Sequence, residues 1–215
     1  TSNGNNAFLR NKTRNIDLPR LVNKYPNYAS ELLYQQAIDE IAILSKNFPK
    51  SHMLHNIKGA CYAGLGQLDS AVKSYEKAII IKPDYAKAHF NLGGALHELN
   101  DYEQSLKSYR KTIEIDPDYA EAHNNLGNLL RELGRPVEAL SCFQKALNLK
   151  PEYVQAHFSL GIVFFDIGEL DDAILSYQRA IEINPDYTFA IEALTAFSLV
   201  TSHSTGRPPI SVAAS

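Results

Sequence analysis

Apolar residues recur along most of the chain at spacings of three and four, the period that places side chains on one stripe of an α-helix. Over 120–133 the residues Ala122, Leu126, Leu129, Leu130 and Leu133 keep this spacing, and Leu140, Phe143, Ala146 and Leu147 resume it after a break. The break is Gly134, with Gly66 and Gly168 at matching places and Asn100 in the same role. Gly and Asn tolerate the left-handed conformation that ends a helix, so each is predicted to close one helix before a second begins. Pro136 suits the opening of such a second helix, because a proline in the first turn gives up an N–H that has no intrahelical partner.

The pattern repeats. Pro49, Pro83, Pro117, Pro151 and Pro185 stand 34 residues apart, as do Gly59, Gly93, Gly127 and Gly161, and also His55, His89, His123 and His157. A frame opening at His52 gives four units, 52–85, 86–119, 120–153 and 154–187. Small residues recur at Ala71, Ser105, Ala139 and Ala173 and again at Ala78, Thr112, Ala146 and Ala180, with an aromatic between them at Tyr75, Tyr109, Phe143 and Tyr177. The repeated Gly and small residues have a steric reading: with little side chain, two helix backbones approach closely while the aromatic fills the wedge beside them. A fixed period of this length marks stacked supersecondary units.

Leu126-Gly127, Leu130, Ala139, Phe143, Ala146 and Pro151 meet the pattern of the tetratricopeptide repeat, and all four units resemble it. The linker wording Pro117-Asp118-Tyr119-Ala120-Glu121-Ala122-His123-Asn124-Asn125-Leu126-Gly127 is similar to the repeats of O-linked N-acetylglucosamine transferases and of bacterial multi-repeat proteins. The resemblance covers about 31–200 and implies an all-α fold, a right-handed superhelical α-solenoid of antiparallel helix pairs whose first helices line a concave surface.

The ends depart from the pattern. Ala37, Ile41, Leu44 and Pro49 match a second helix, so 31–48 is expected to be helical. Its partner around Leu18–Tyr25 is interrupted by Pro19 and Pro26, which makes 18–51 a degenerate first repeat or cap. Residues 1–17, Asn-rich with Arg10, Lys12 and Arg14 against Asp17, read as a flexible arm. Phe189, Ile191, Leu194, Phe197 and Leu199 make 188–200 a terminal or truncated helix that is apolar where a capping element should be polar. Ser204, Thr205, Gly206, Pro208 and Pro209 mark 201–215 as a flexible tail. The apolar last helix leaves room for homo-oligomer contacts.

Composition narrows the class. With 45% apolar and 21% charged residues and a net charge of −3 the 215-residue chain is globular, and nucleic acid is not an expected partner. No apolar run reaches the length of a membrane span. A secretion leader is missing and there are only two cysteines, so a cytoplasmic setting is expected. The chain opens at Thr1 without Met, and a fragment or processed form is expected.

Candidate chemistry is sparse. Four histidines one repeat apart are too widely spaced for one metal ion, whose ligands must lie about 2 Å from it, and packing is their expected role. Cys61 and Cys142 fall on packing stripes. Asp171 and Asp172 open a helix, where the dipole favours carboxylates. No phosphate loop, nucleophile elbow or zinc-protease spacing occurs, so neither an enzymatic activity nor a cofactor is expected.

The resemblance implies that places five, six, nine and twelve of each unit project into the groove. There the second unit puts Phe90 and Asn91, with Lys87 close by; the third puts Asn124, Asn125, Asn128 and Arg131; the fourth puts Phe158, Ile162 and Phe165. An Asn offers both a donor and an acceptor to a peptide bond, so Asn91 and Asn125 could grip backbone or could satisfy neighbouring polar groups. Phe158, Ile162 and Phe165, with Phe189, form a candidate aromatic anchor. Glu98, Glu121, Glu132 and Asp166 lie near Lys87 and Arg131 and weaken a carboxylate clamp. The expected function is a non-catalytic scaffold that binds a protein or peptide segment; the alternative is a substrate-presenting arm of a larger enzyme such as a glycosyl- or methyltransferase.

Overall fold

In a computed structural model residues 26–205 are described, and all of their regular structure is helical: α1 (Pro26–Asn47), α2 (His52–Gly64), α3 (Leu68–Ile81), α4 (Ala86–Glu98), α5 (Tyr102–Ile115), α6 (Ala120–Glu132), α7 (Pro136–Leu149), α8 (Val154–Ile167), α9 (Leu170–Ile183) and α10 (Thr188–Thr205). The all-α solenoid of helix pairs that the resemblance implied is thus what the chain forms. Two compact units share the helices, one ending at Pro83 and the other starting at Asp84.

In the first unit α1 packs on α2 and α2 on α3. Helix α1 begins at Pro26, five residues before the expected start at 31, because a proline is as good an opening residue as an interior breaker. The expectations for 1–17 and for a helix around 18–25 lie outside the described residues. Ile38, Ile41 and Cys61 are the buried centre of this unit, with Leu54 and Leu65 packed against them.

In the second unit each helix packs on the next, from α4 to α10. Its main core joins Tyr109, Leu126, Leu129, Leu130, Ala139, Phe143 and Val163; a second centres on Ala173, Tyr177, Ala180, Ala190 and Leu194. The last helix runs to Thr205, five residues into the segment expected to be a flexible tail, and 206–215 lie outside the described residues.

The repeated glycines pack as steric reasoning requires. A Cβ placed on Gly59, Gly93, Gly127 or Gly161 would come within 2.5, 2.8, 2.8 and 2.6 Å of the ring of Tyr75, Tyr109, Phe143 and Tyr177 respectively. The aromatic of the second helix therefore packs directly against the bare backbone of the first. In the second unit the hydroxyl of Ser105, which replaces alanine at its place, donates to the Gly93 carbonyl at 2.7 Å. Turns close as expected: Gly66, Asn100, Gly134 and Gly168 have φ of 69°, 61°, 71° and 87°.

The histidines have a role that the packing expectation missed. His123 Nε2 bonds the Pro117 carbonyl at 2.9 Å and His157 Nε2 the Pro151 carbonyl at 2.8 Å, while His55 bonds the backbone of Pro49. Each ring ties the linker that precedes its helix to that helix. Proline carbonyls in such turns have no ladder partner, so a side-chain donor satisfies them.

Candidate functional site

Within the second unit α4 touches α6 and α6 touches α8, so the three first helices lie side by side. Helix α6 buries Ala120, Ala122, His123, Asn124, Leu126, Gly127, Leu129 and Leu130. Its accessible stripe is what remains: Glu121, Asn125, Asn128, Arg131 and Glu132. The 34-residue period continues that stripe onto both neighbours. Lys87, Asn91 and Glu98 take equivalent places on α4, and Gln155, Ile162 and Asp166 on α8.

The residues expected to form the site divide into three groups. Lys87 and Phe165 are exposed, and Asn91, Asn125, Asn128, Arg131 and Ile162 are half-buried, all on this face. Asn124 is buried at 3% exposure; its Nδ2 donates to Asn125 Oδ1 at 3.3 Å, and its own Oδ1 has no hydrogen-bond partner. Asn125 also hydrogen-bonds the Tyr109 hydroxyl, a phenol that burial holds above its ordinary pKa. Asn125 thus satisfies a neighbouring polar group, as one reading of the amide row expected, and it remains half-buried at the surface.

Phe90 and Phe158 are half-buried and packed against a row of tyrosines that sequence reasoning passed over. Phe90 stacks on Tyr119 with centroids 4.9 Å apart, and Phe158 meets Tyr187 edge-on at 5.5 Å and Tyr177 at 5.8 Å. Tyr85, Tyr119, Tyr153 and Tyr187 each precede a first helix and recur every 34 residues, so the signal was present in the chain. Burial raises the phenols of Tyr119 and Tyr187 and pushes Tyr153 up to about 12, which keeps them neutral packing groups. Of the proposed aromatic anchor, Phe165 and Phe189 are the open part, 52% and 62% exposed.

Polar side chains along the face meet across repeats. His97 Nε2 lies 2.7 Å from Glu132 Oε2, Arg131 reaches Asp166 at 3.5 Å, and Lys150 bonds Glu121. The first two pairs share one register: place twelve of a unit meets place thirteen of the next. Arg131, half of the candidate clamp, is thus already engaged, although its Nε is buried without a partner. Among the described residues no cluster of His, Cys, Asp and Glu is arranged to hold a metal ion, and no helix is long and apolar enough to cross a membrane.

Comparisons with known proteins agree with the repeat fold. A family described as "TPR repeat" matches 59–100 and 93–134, and one described as "Tetratricopeptide repeat" matches 118–186. The heat shock protein sti1 homolog of Schizosaccharomyces pombe is 35% identical over 68 residues, which span 32% of this chain and only 12% of that protein. Among solved structures, MamA is 22% identical with a TM-score of 0.66 over 72% of this chain and 91% of that one. YrrB, described as a TPR protein with an unusual peptide-binding site, is 19% identical with a TM-score of 0.63 over 83% of this chain and 97% of its own. At these identities the structural likeness speaks to fold.

Proposed function

This chain belongs to the tetratricopeptide-repeat family, and from that premise we propose that it is a protein-interaction scaffold holding a peptide segment of a partner on the face of α4, α6 and α8. The observation that carries the proposal is the accessible stripe of α6, whose Asn125 and Asn128 continue through Asn91 on one side and Ile162 on the other. Amides at one place of successive repeats match the regular donors and acceptors of extended backbone. That idea extends the likeness of the linkers to those of O-linked N-acetylglucosamine transferases. Phe165 supplies a half-exposed aromatic at the end of the row, where a side chain of the ligand gains apolar contact. Arg131 is engaged by Asp166, so recognition rests on the amides and on apolar contact more than on a free cation.

Peptides selected from a displayed library on the wild-type chain test this. Replacing Asn91 and Phe165 by Ala removes one amide and the anchor, and about 1 kcal/mol for each predicts a loss of tenfold or more in affinity by fluorescence polarisation. Selected peptides that bind the double variant as tightly as the wild type would exclude this face.

A further inference from the structure

The first unit carries an open pocket of about 270 Å³ between α2 and α3 whose lining is basic. Lys58 comes from α2, and Lys73 and Lys77 from α3; His55 and Ser74 are its buried members, and the Tyr62 and Ser70 hydroxyls add donors. The 34-residue register shows what is special here. Lys58 stands where the other three repeats carry Leu92, Leu126 and Leu160, and Leu126 is a core residue only 6% exposed. A half-buried lysine stands where the other repeats have leucine. Its Nζ lies 5.6 Å from the ring centroid of Tyr62, and both residues line the pocket.

The other two lysines lack the partners that their counterparts have. In α5 the equivalents of Lys73 and Lys77 are Lys107 and Lys111, which pair with Glu103 and Glu114 at 2.7 Å each. In α3 the place of Glu103 holds the shorter Asp69, and that of Glu114 holds Ile80. Among the described residues no carboxylate lies within 4.0 Å of Lys58, Lys73 or Lys77. Burial, Lys77 and Lys58 together depress the His55 imidazole against its bond to Pro49, so the positive field reaches the cavity floor. The chain's undescribed ends are poor candidates to neutralise it: residues 1–25 hold five Lys or Arg against Asp17, and 206–215 hold Arg207 and no acidic side chain.

We propose that this cavity binds a phosphoryl group, either as a free anion or carried on a phosphorylated residue of a partner. Three ammonium groups call for more than the single charge of one carboxylate, and a phosphoryl group brings about −1.5 to −2 with three strong acceptor oxygens. The surrounding ammonium and hydroxyl donors can fill those acceptors with charge-assisted hydrogen bonds. The site is separate from the amide row and uses none of its residues.

Calorimetric titration of the full chain tests it at constant ionic strength, with chloride as the reference anion. The probes are inorganic phosphate, a neutral peptide containing phosphoserine, its unphosphorylated form and the same peptide with Glu in place of phosphoserine. Saturable binding of phosphate at millimolar or lower concentration supports the site. Tenfold tighter binding of the phosphopeptide points to a phosphorylated partner, and equal affinity to a free anion. Lys58→Leu restores the residue of the other three repeats and should fold at least as well, yet weaken phosphate binding at least fivefold; Lys77→Gln should weaken it similarly. The proposal is overturned by no saturable binding of either phosphate probe, by Glu-peptide binding equal to that of the phosphopeptide, or by unchanged affinity in Lys58→Leu.

Discussion

Gly93 and Gly94 are neighbours in α4, and replacing each in turn by Ala isolates the packing of one aromatic ring. Helix propensity favours both changes equally, by about 0.8–1.0 kcal/mol. A Cβ on Gly93 would lie 2.8 Å from two ring carbons of Tyr109, about 1 Å inside ordinary carbon contact. That ring is 2% exposed and its hydroxyl is bonded to Asn125 and Ser105, so it has no room to retreat. Overpacking of this kind costs about 1–3 kcal/mol. On Gly94 the nearest atom to an added Cβ is the Tyr109 hydroxyl at 3.8 Å, which is harmless. Gly94→Ala should therefore raise the urea midpoint, and Gly93→Ala should lower it or at best leave it level. The two variants should differ by about 1–3 kcal/mol, or roughly 1 M urea at an ordinary slope. Far-UV circular dichroism reads both midpoints; comparing midpoints suits a repeat array, in which stability is a sum of local terms. A Gly93→Ala protein as stable as Gly94→Ala would show that the ring does not rest on that backbone.

Two further outcomes follow from titrating groups. The half-buried Cys142 thiol is pushed up to about 11 by burial first and Glu138 second, so at pH 8 its labelling by a thiolate-directed reagent should be about 100-fold slower in the folded chain than in urea; equal rates would contradict its packed position. Because the His55 imidazole is held below its unfolded value, the unfolded chain takes up that proton first as pH falls below about 6.5; stability is therefore full above this value and declines below it until the folded imidazole also protonates. Urea midpoints at pH 7.5 and 5.5 should differ less in His55→Asn than in the wild type, and an equal or larger difference would remove His55 as the cause.

Some residues carry their structural role openly and others conceal it. Gly134, Asn100 and Pro136 announced their own conformations, because φ preferences act within one or two residues and need no distant partner. The seats of Tyr75, Tyr109, Phe143 and Tyr177 were legible too, since a large ring that recurs at constant spacing from a bare Gly has an obvious place to lie. Pro26 misled, because the same residue can break a helix or open one, and only the packing of the following turns selects between them. His123 and His157 were assigned to packing, yet each serves as a hydrogen-bond donor to a proline carbonyl six residues earlier.

Periodicity alone was enough to set the helix pairs, their turns and the place of each unit in the chain, because a 34-residue period repeats local rules that hold wherever the segment lies. Which polar residues stay available was decided only in three dimensions. Arg131 is engaged by Asp166, Asn125 by Tyr109, and Phe158 by Tyr187, whereas Lys58 lines an open pocket. Such pairings join residues on different helices. Their distances depend on how neighbouring helices dock, and no stretch of sequence encodes that docking by itself.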